Sequence, residues 1–274
     1  MNEIWSGSLR KMTVTAASPV EYRMGGENGP LLNQYLGKKL SLHFEGKINC
    51  IECAVALKKS YQGGYCFPCT QKLAECDLCI LKPELCHYAK GTCRQPKWGE
   101  EHCMIPHFVY LSKTSGVKVG ITRHTQIPTR WIDQGATEAV PIFKVSTRLQ
   151  SGLFEVLLGE QIADKTNWRK MLQGESSEED LLERRDQLFE DCGEALDQLE
   201  EELDDNGIEF LEDEAVTELS YPVLEYPEKV KSMTLEKMPT IEGTLMGIKG
   251  QYLIFDTGVI NIRRHTGHTI TLKA

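Results

Sequence analysis

The chain of 274 residues is 41% hydrophobic and 26% charged, the proportions of a folded globular protein. No stretch is long and apolar enough to span a bilayer, and the first residues lack the apolar core of a signal peptide, so a cytoplasmic protein with no membrane partner is expected. The net charge of −9 hides a split: residues 175–218 carry 20 Asp or Glu and 2 Arg, a balance of −18, so the rest of the chain carries +9. A basic body fits a phosphate backbone as partner, DNA or RNA, and an acidic arm could shield or repel it.

Residues 1–49 read as an N-terminal β segment. Met12–Thr15 and Val20–Tyr22 are short β-prone runs, and Gly25-Gly26 marks a turn. Leu40–Phe44 alternates apolar and polar residues, which turns His43 to solvent and delivers the chain to its first cysteine pair.

Residues 50–103 form a cysteine-rich, zinc-binding lobe. Nine of the ten cysteines lie here, and without a secretory signal, metal ligation is expected over disulfides. Cys50-Ile51-Glu52-Cys53 and Cys66-Phe67-Pro68-Cys69 are two CxxC knuckles of the zinc-ribbon type, which set four thiolates around one Zn²⁺. Four thiolates leave no position for water, so this zinc is structural and its binding helps to fold the segment. Cys76-Asp77-Leu78-Cys79 opens a second set. Its remaining ligands are ambiguous among Cys86, His87, Cys93, His102 and Cys103; Cys86 and Cys93 close the most compact loop and are preferred. One or two zinc ions are expected, with an iron–sulfur cluster as the alternative for the second set. Lys82, Lys90, Arg94 and Lys97 interleave with Tyr88 and Trp98, a pattern that grips phosphates and stacks on a base, or that merely caps and solvates the lobe.

Residues 104–174 read as an α/β core. Phe108–Leu111 is a strand, Ser115-Gly116 a turn and Val117–Thr122 the returning strand, with Gly120 where a close approach is needed. Pro128 suits the start of a short helix and Gly135 its end. Tyr110, Lys118, Arg123, His124 and Arg130 thereby come within short reach of one another. Ala139–Val145 is a third strand. Leu149–Ala163 reads as a helix apolar nearly all round, hence buried, with Glu155 at the edge of the apolar arc and Glu160 within it. A buried carboxylate needs a cation or a metal. Glu155 and Glu160 are both candidates for a metal; pairing with Arg130 or Arg148 is the plainer alternative. Asp164, Thr166 and Asn167 follow at the helix exit, Asn167 as a cap or a substrate contact.

Residues 175–218 form the acidic segment. From a start at Ser176-Ser177, Leu181, Leu188, Cys192, Leu196, Leu199 and Leu203 recur at helical spacing up to a stop at Asn206-Gly207. One apolar stripe with an acidic outer face predicts a long helix over 176–205 docked on the body, on a second copy or on a protein partner. Glu209–Glu218 is a solvated acid run, or an occupant of a basic cleft. Residues 219–274 read as four short strands with tight turns, a barrel of OB or SH3 size that closes with the N-terminal strands. Arg263, Arg264, His265 and His268 give it a basic rim; the histidines read as a turn-exposed pair, with metal binding as the alternative.

Val109-Tyr110-Leu111, then Lys118–Thr122, then Arg130 on the next helix, resemble a degenerate GIY-YIG nuclease core, with Phe108 for the first glycine and Lys118 for the second tyrosine. The whole chain, with its cysteine-rich segment before KVGIT and PTRWIDQGA after it, resembles a family of bacterial proteins with no assigned activity. The nuclease resemblance implies hydrolysis of a phosphodiester. Glu155 would hold Mg²⁺ or Mn²⁺, Tyr110 would take a proton from water, Lys118 would lower its pKa, Arg130 would neutralise developing charge and His124 would relay protons. The expected protein is thus α+β: a small sheet or barrel of N- and C-terminal strands, a zinc-ribbon-like lobe, a GIY-YIG-like core and one long acidic helix. Its expected function is metal-dependent nucleic-acid processing. The alternatives are a non-catalytic zinc-containing nucleic-acid-binding protein and an adaptor that uses the acidic helix.

Overall fold

The computed structural model describes residues 1–162, 167–203 and 207–274. The first part of the chain supplies β1 (Glu3–Ser8), β2 (Thr13–Thr15), β3 (Glu21–Arg23), the long β4 (Lys39–Asn49), β5 (Ala56–Leu57), α1 (Phe67–Lys72) and α2 (Pro96–His102). The middle supplies β6 (His107–Lys113), β7 (Val117–Arg123), α3 (Thr129–Gln134), β8 (Glu138–Val145), α4 (Arg148–Gly159), α5 (Trp168–Leu172) and α6 (Leu181–Leu203). The last part supplies β9 (Glu209–Phe210), β10 (Thr217–Glu218), β11 (Thr240–Lys249), β12 (Tyr252–Phe255), β13 (Gly258–Asn261) and β14 (His268–Lys273).

Both ends of the chain meet in one antiparallel sheet, ordered β1-β14-β4-β11-β12-β13, with β5 added to β4. Leu42 stands opposite Leu272 on one side and Ile241 on the other. The alternation read from β4 holds in part: Leu40 and Leu42 are buried and His43 is exposed, but Ser41 is buried as well and donates to Glu242 Oε1 (2.9 Å). The expected barrel does not close. Beyond β13, the Val259 N–H donates to Lys231 O (2.8 Å) and the Met233 N–H to Val259 O (2.8 Å), so a strap from residues 231–233 covers this edge and leaves no partner for β1.

The second sheet is ordered β10-β8-β6-β7, with β9 on β8. Successive side chains of β6 point to opposite faces. Val109 and Leu111 join Phe154 and Leu158 of α4 and Leu188 and Leu196 of α6 in one core. Tyr110 packs on the other face with Trp131 of α3. The acidic helix lays its predicted stripe on this body, but it starts at Leu181, because Asp180 caps it through the N–H groups of Leu182 (2.8 Å) and Glu183 (3.0 Å). Ser177 is committed elsewhere, its N–H donating to Thr114 O. The expected stop at Asn206 lies outside the described residues.

Helix α4 is shorter and more exposed than its sequence suggests. It ends at Gly159, Val156 is 48% exposed and Glu160 lies on the surface past the helix end, not within an apolar arc. Ala163, Asp164 and Thr166 lie outside the described residues; Asn167 caps α5 through the Arg169 N–H (3.0 Å). Gly152 lets α4 seat against the cysteine lobe: a Cβ there would stand 2.5 Å from Pro83 Cβ and 2.6 Å from Glu84 N. Among the described residues no helix is long and apolar enough to cross a membrane.

Candidate functional site

The first cysteine quartet is built by two tight turns. Just past β4, Cys50 donates its N–H to Val55 O and accepts at its carbonyl from Ala54 N–H (both 2.9 Å), with Ala54 in the left-handed region (φ 59°). Cys66 caps α1, its sulfur accepting from Cys69 N–H (3.4 Å), while its own N–H donates to Cys50 Sγ (3.2 Å). The Sγ atoms of Cys50, Cys53, Cys66 and Cys69 all lie within 4.8 Å of one another, and Cys53 and Cys66 are 3.7 Å apart. Zinc–sulfur bonds of about 2.3 Å at tetrahedral angles separate their sulfurs by about 3.8 Å, so the quartet fits one Zn²⁺. Burial works against the Cys50 thiolate, but N–H groups from Cys53, Cys66 and Glu52 outweigh it and hold this thiol down to about 6. It is therefore poised as a ligand at neutral pH.

The second set departs from expectation. One cavity is lined by Cys79, Cys86, Cys93 and Cys103, with Trp98 and Gly99 in its wall. Cys76 is not part of it and stands within electrostatic reach of Cys50 instead. Cys76 and Cys79 end up in separate 3-10 turns, Ala74–Cys76 and Leu78–Ile80, which parts the CxxC pair. Asp77, between them, pairs with Arg94 (2.6 Å) and caps the second turn. Asp77, Cys79 and His87 also come within 4.8 Å of one another, but Arg94 occupies the carboxylate and the His87 ring hydrogen-bonds Thr92 Oγ1 at 2.7 Å. His102 is turned to its own helix, Nδ1 lying 3.0 Å from Trp98 O. Among the described residues the four cavity cysteines do not close to within 4.8 Å as the first quartet does. The cavity leaves about 10 Å³, room for one water-sized sphere.

Three of the residues implied by the nuclease resemblance are neighbours, yet they do not surround an open pocket. Tyr110 is fully buried and its hydroxyl donates to Gln134 Oε1 (3.0 Å). A Cβ on Gly120 would lie 2.7 Å from that hydroxyl, which is the close approach this glycine permits. Burial pushes the phenol up, although Arg130 acts in the other direction, and Glu155 is also within electrostatic reach. Lys118 stands opposite Ser112 in the hairpin. His124 is exposed, with Nδ1 3.2 Å from Pro106 O. Glu155 opens onto a separate groove with Lys82, Glu84 and Val119. A phenol sealed from solvent, with ionisation made harder, is a poor acceptor of a proton from water.

A concentration of positive charge lies elsewhere. A cleft of about 540 Å³ is lined by Arg10, Lys11, Arg123, Arg148 and Arg263, with Glu75 as its carboxylate. Tyr65 and Trp98 supply aromatic walls, and Trp98 stacks on His102 with ring centroids 4.2 Å apart. The fold assembles these cations from distant elements: Arg10 and Lys11 follow β1, Arg123 ends β7, Arg148 begins α4 and Arg263 lies in the turn after β13. Lys11 pairs with Asp133 (2.8 Å), and Arg148 donates to Ile80 O (2.7 Å). Arg123 and Arg263 have no carboxylate within 4 Å among the described residues. No residue of α6 lines the cleft. Arg10 and Lys11 carry no local signal in the sequence; only the pairing of β1 with β14 brings them here.

The family model described as "Protein of unknown function (DUF2797)" matches residues 37–270. The chain belongs to the DUF2797 family. No curated protein and no solved structure matches it. The residues matched to DUF2797 include both cysteine sets, Tyr110 and three of the cleft arginines, Arg123, Arg148 and Arg263, but not Arg10 or Lys11.

Proposed function

We propose that this DUF2797 protein is a non-catalytic, zinc-containing nucleic-acid-binding protein that holds a single-stranded segment in the cleft between its cysteine lobe and its two sheets. The observation that carries this reading is the cleft itself: four arginines and a lysine, the lysine paired with Asp133, line it with one carboxylate, Glu75, and two aromatic side chains in the wall. Cations would neutralise successive phosphates and the aromatic faces would stack on unpaired bases, a combination that suits single strands. Zinc in the first quartet would fix the wall, since the loop between its two knuckles contributes Gln62, Gly63 and Tyr65 to the cleft. The set of Cys79, Cys86, Cys93 and Cys103 would hold the second metal, a zinc ion or an iron–sulfur cluster.

The test is binding of a labelled oligonucleotide, read by fluorescence anisotropy with Mg²⁺ present. The double variant Arg123→Ala/Arg263→Ala should bind roughly tenfold or more weakly, because each charged hydrogen bond removed costs ~1 kcal/mol or more. Glu155→Ala should bind like the parent, and the oligonucleotide should stay intact with both. Unchanged affinity in the double variant would sink the cleft as the binding site, and a strand cut by the parent but not by Glu155→Ala would restore the hydrolytic reading.

A further inference from the structure

We infer that Glu236, His265 and His268 form a separate binding site for a single divalent transition-metal ion, with coordination positions open to water. The expected turn-exposed histidine pair is in fact buried, His265 being 0% and His268 2% exposed. His265 closes the turn Ile262–His265 and His268 opens β14. Gly267 between them has φ 88°, and a Cβ there would lie 2.6 Å from Asn49 O, so the chain can reverse tightly only with glycine at this point. The reversal brings the two imidazoles together, with centroids 5.2 Å apart and planes at 86°.

None of the four ring nitrogens has a hydrogen-bond partner. A neutral imidazole always presents one N–H and one lone pair, so no choice of tautomer satisfies either ring. Buried polar groups are nearly always paired, and two adjacent residues that both fail call for an absent partner. Glu236 reaches the same spot: Oε2 is 3.7 Å from His265 Nδ1 and Oε1 is 3.5 Å from His268 Nε2. These distances are too long for hydrogen bonds. They do match ligand atoms sharing one ion, which at about 2.0–2.2 Å each stand about 3.4 Å apart around a tetrahedron.

The neighbouring turn that carries Glu236 is pinned by Met233 and Leu235, both buried. The Glu236 side chain is 50% exposed, which leaves one side of the site to solvent. Phe44 walls the other side, 5.0 Å from the His268 ring. Arg264 adds a positive charge nearby, but it is exposed and so screened by solvent. Two imidazoles and a carboxylate select zinc, iron(II) or their relatives over Mg²⁺ or Ca²⁺, and three protein ligands are the mark of an open site. This site does not depend on what the cleft binds, although Arg263 and Thr266 of the same turn line that cleft.

Cobalt(II) added to the full-length protein, with its cysteine sites already metal-loaded, tests this. One further equivalent should bind, with the visible absorption of nitrogen and oxygen ligation and without a thiolate-to-cobalt charge-transfer band. Glu236→Gln and His268→Gln should each weaken this uptake at least tenfold while the metal content of the cysteine sites stays constant. Glu236 is half-exposed, so its variant keeps the test valid even where the histidine variant misfolds. No uptake, uptake equal in Glu236→Gln and parent, or a thiolate charge-transfer band would each overturn the proposal.

Discussion

Lys249 is 1% exposed at the end of β11, its ammonium 5.3 Å from the Tyr221 ring centre and 5.5 Å from that of Tyr226. The ring faces compensate partly for the missing hydration, yet burial still pulls the lysine down to about 8. Between about 8 and the usual 10.5 the unfolded chain keeps a proton that the folded one has released, so this lysine makes the protein more stable as pH rises through that window. Urea unfolding of the parent and of Lys249→Met at pH 7.5 and 9.5 should show the parent gaining ~1–3 kcal/mol relative to the variant at the higher pH. A difference independent of pH would contradict this. Single-residue environments of this kind were the least legible from sequence. His265 and His268 look like turn residues because their burial depends on β4 and on the Glu236 turn, neither of them a sequence neighbour. Tyr110 reads as available because nothing in the hairpin sequence announces Gln134 and Trp131 closing over it.

Elements were more legible, because periodicity is local. The strands of the central hairpin, the stripe on α6 and the glycine end of α3 at Gly135 follow from residue spacing alone. The first cysteine quartet was legible for the same reason, since each CxxC knuckle is one local turn. The second set was not. Cys76-Asp77-Leu78-Cys79 has the same spacing, but the Asp77–Arg94 pair and the two separate 3-10 turns divide its cysteines between different neighbours. Metal analysis of anaerobically purified protein should therefore find the second site emptied by Cys103→Ser and filled in Cys76→Ser. Loss in Cys76→Ser with retention in Cys103→Ser would return the ligand set to the one suggested by spacing.

At the scale of the whole molecule, the charge split was legible and its placement was not. Subtracting the acidic segment exposes a basic remainder, but only tertiary structure collects Arg10, Arg123, Arg148 and Arg263 in one cleft and docks the acidic helix on a different face. The same limit explains the sheet. Pairing of the chain ends was foreseeable, whereas an edge covered by residues 231–233 rather than closed as a barrel depends on a segment with no strand pattern of its own. In the proposed reading, metal, lobe and cleft would form one unit, in which thiolates order the wall and arginines from both sheets supply the field. The decisive measurement is the affinity for a single-stranded oligonucleotide across a range of salt concentrations, plotted as logarithms. The parent should give a steep negative slope, and Arg123→Ala/Arg263→Ala a slope shallower by roughly 0.7 for each phosphate no longer neutralised. A flat line for the parent, or the same slope in both proteins, would contradict the account.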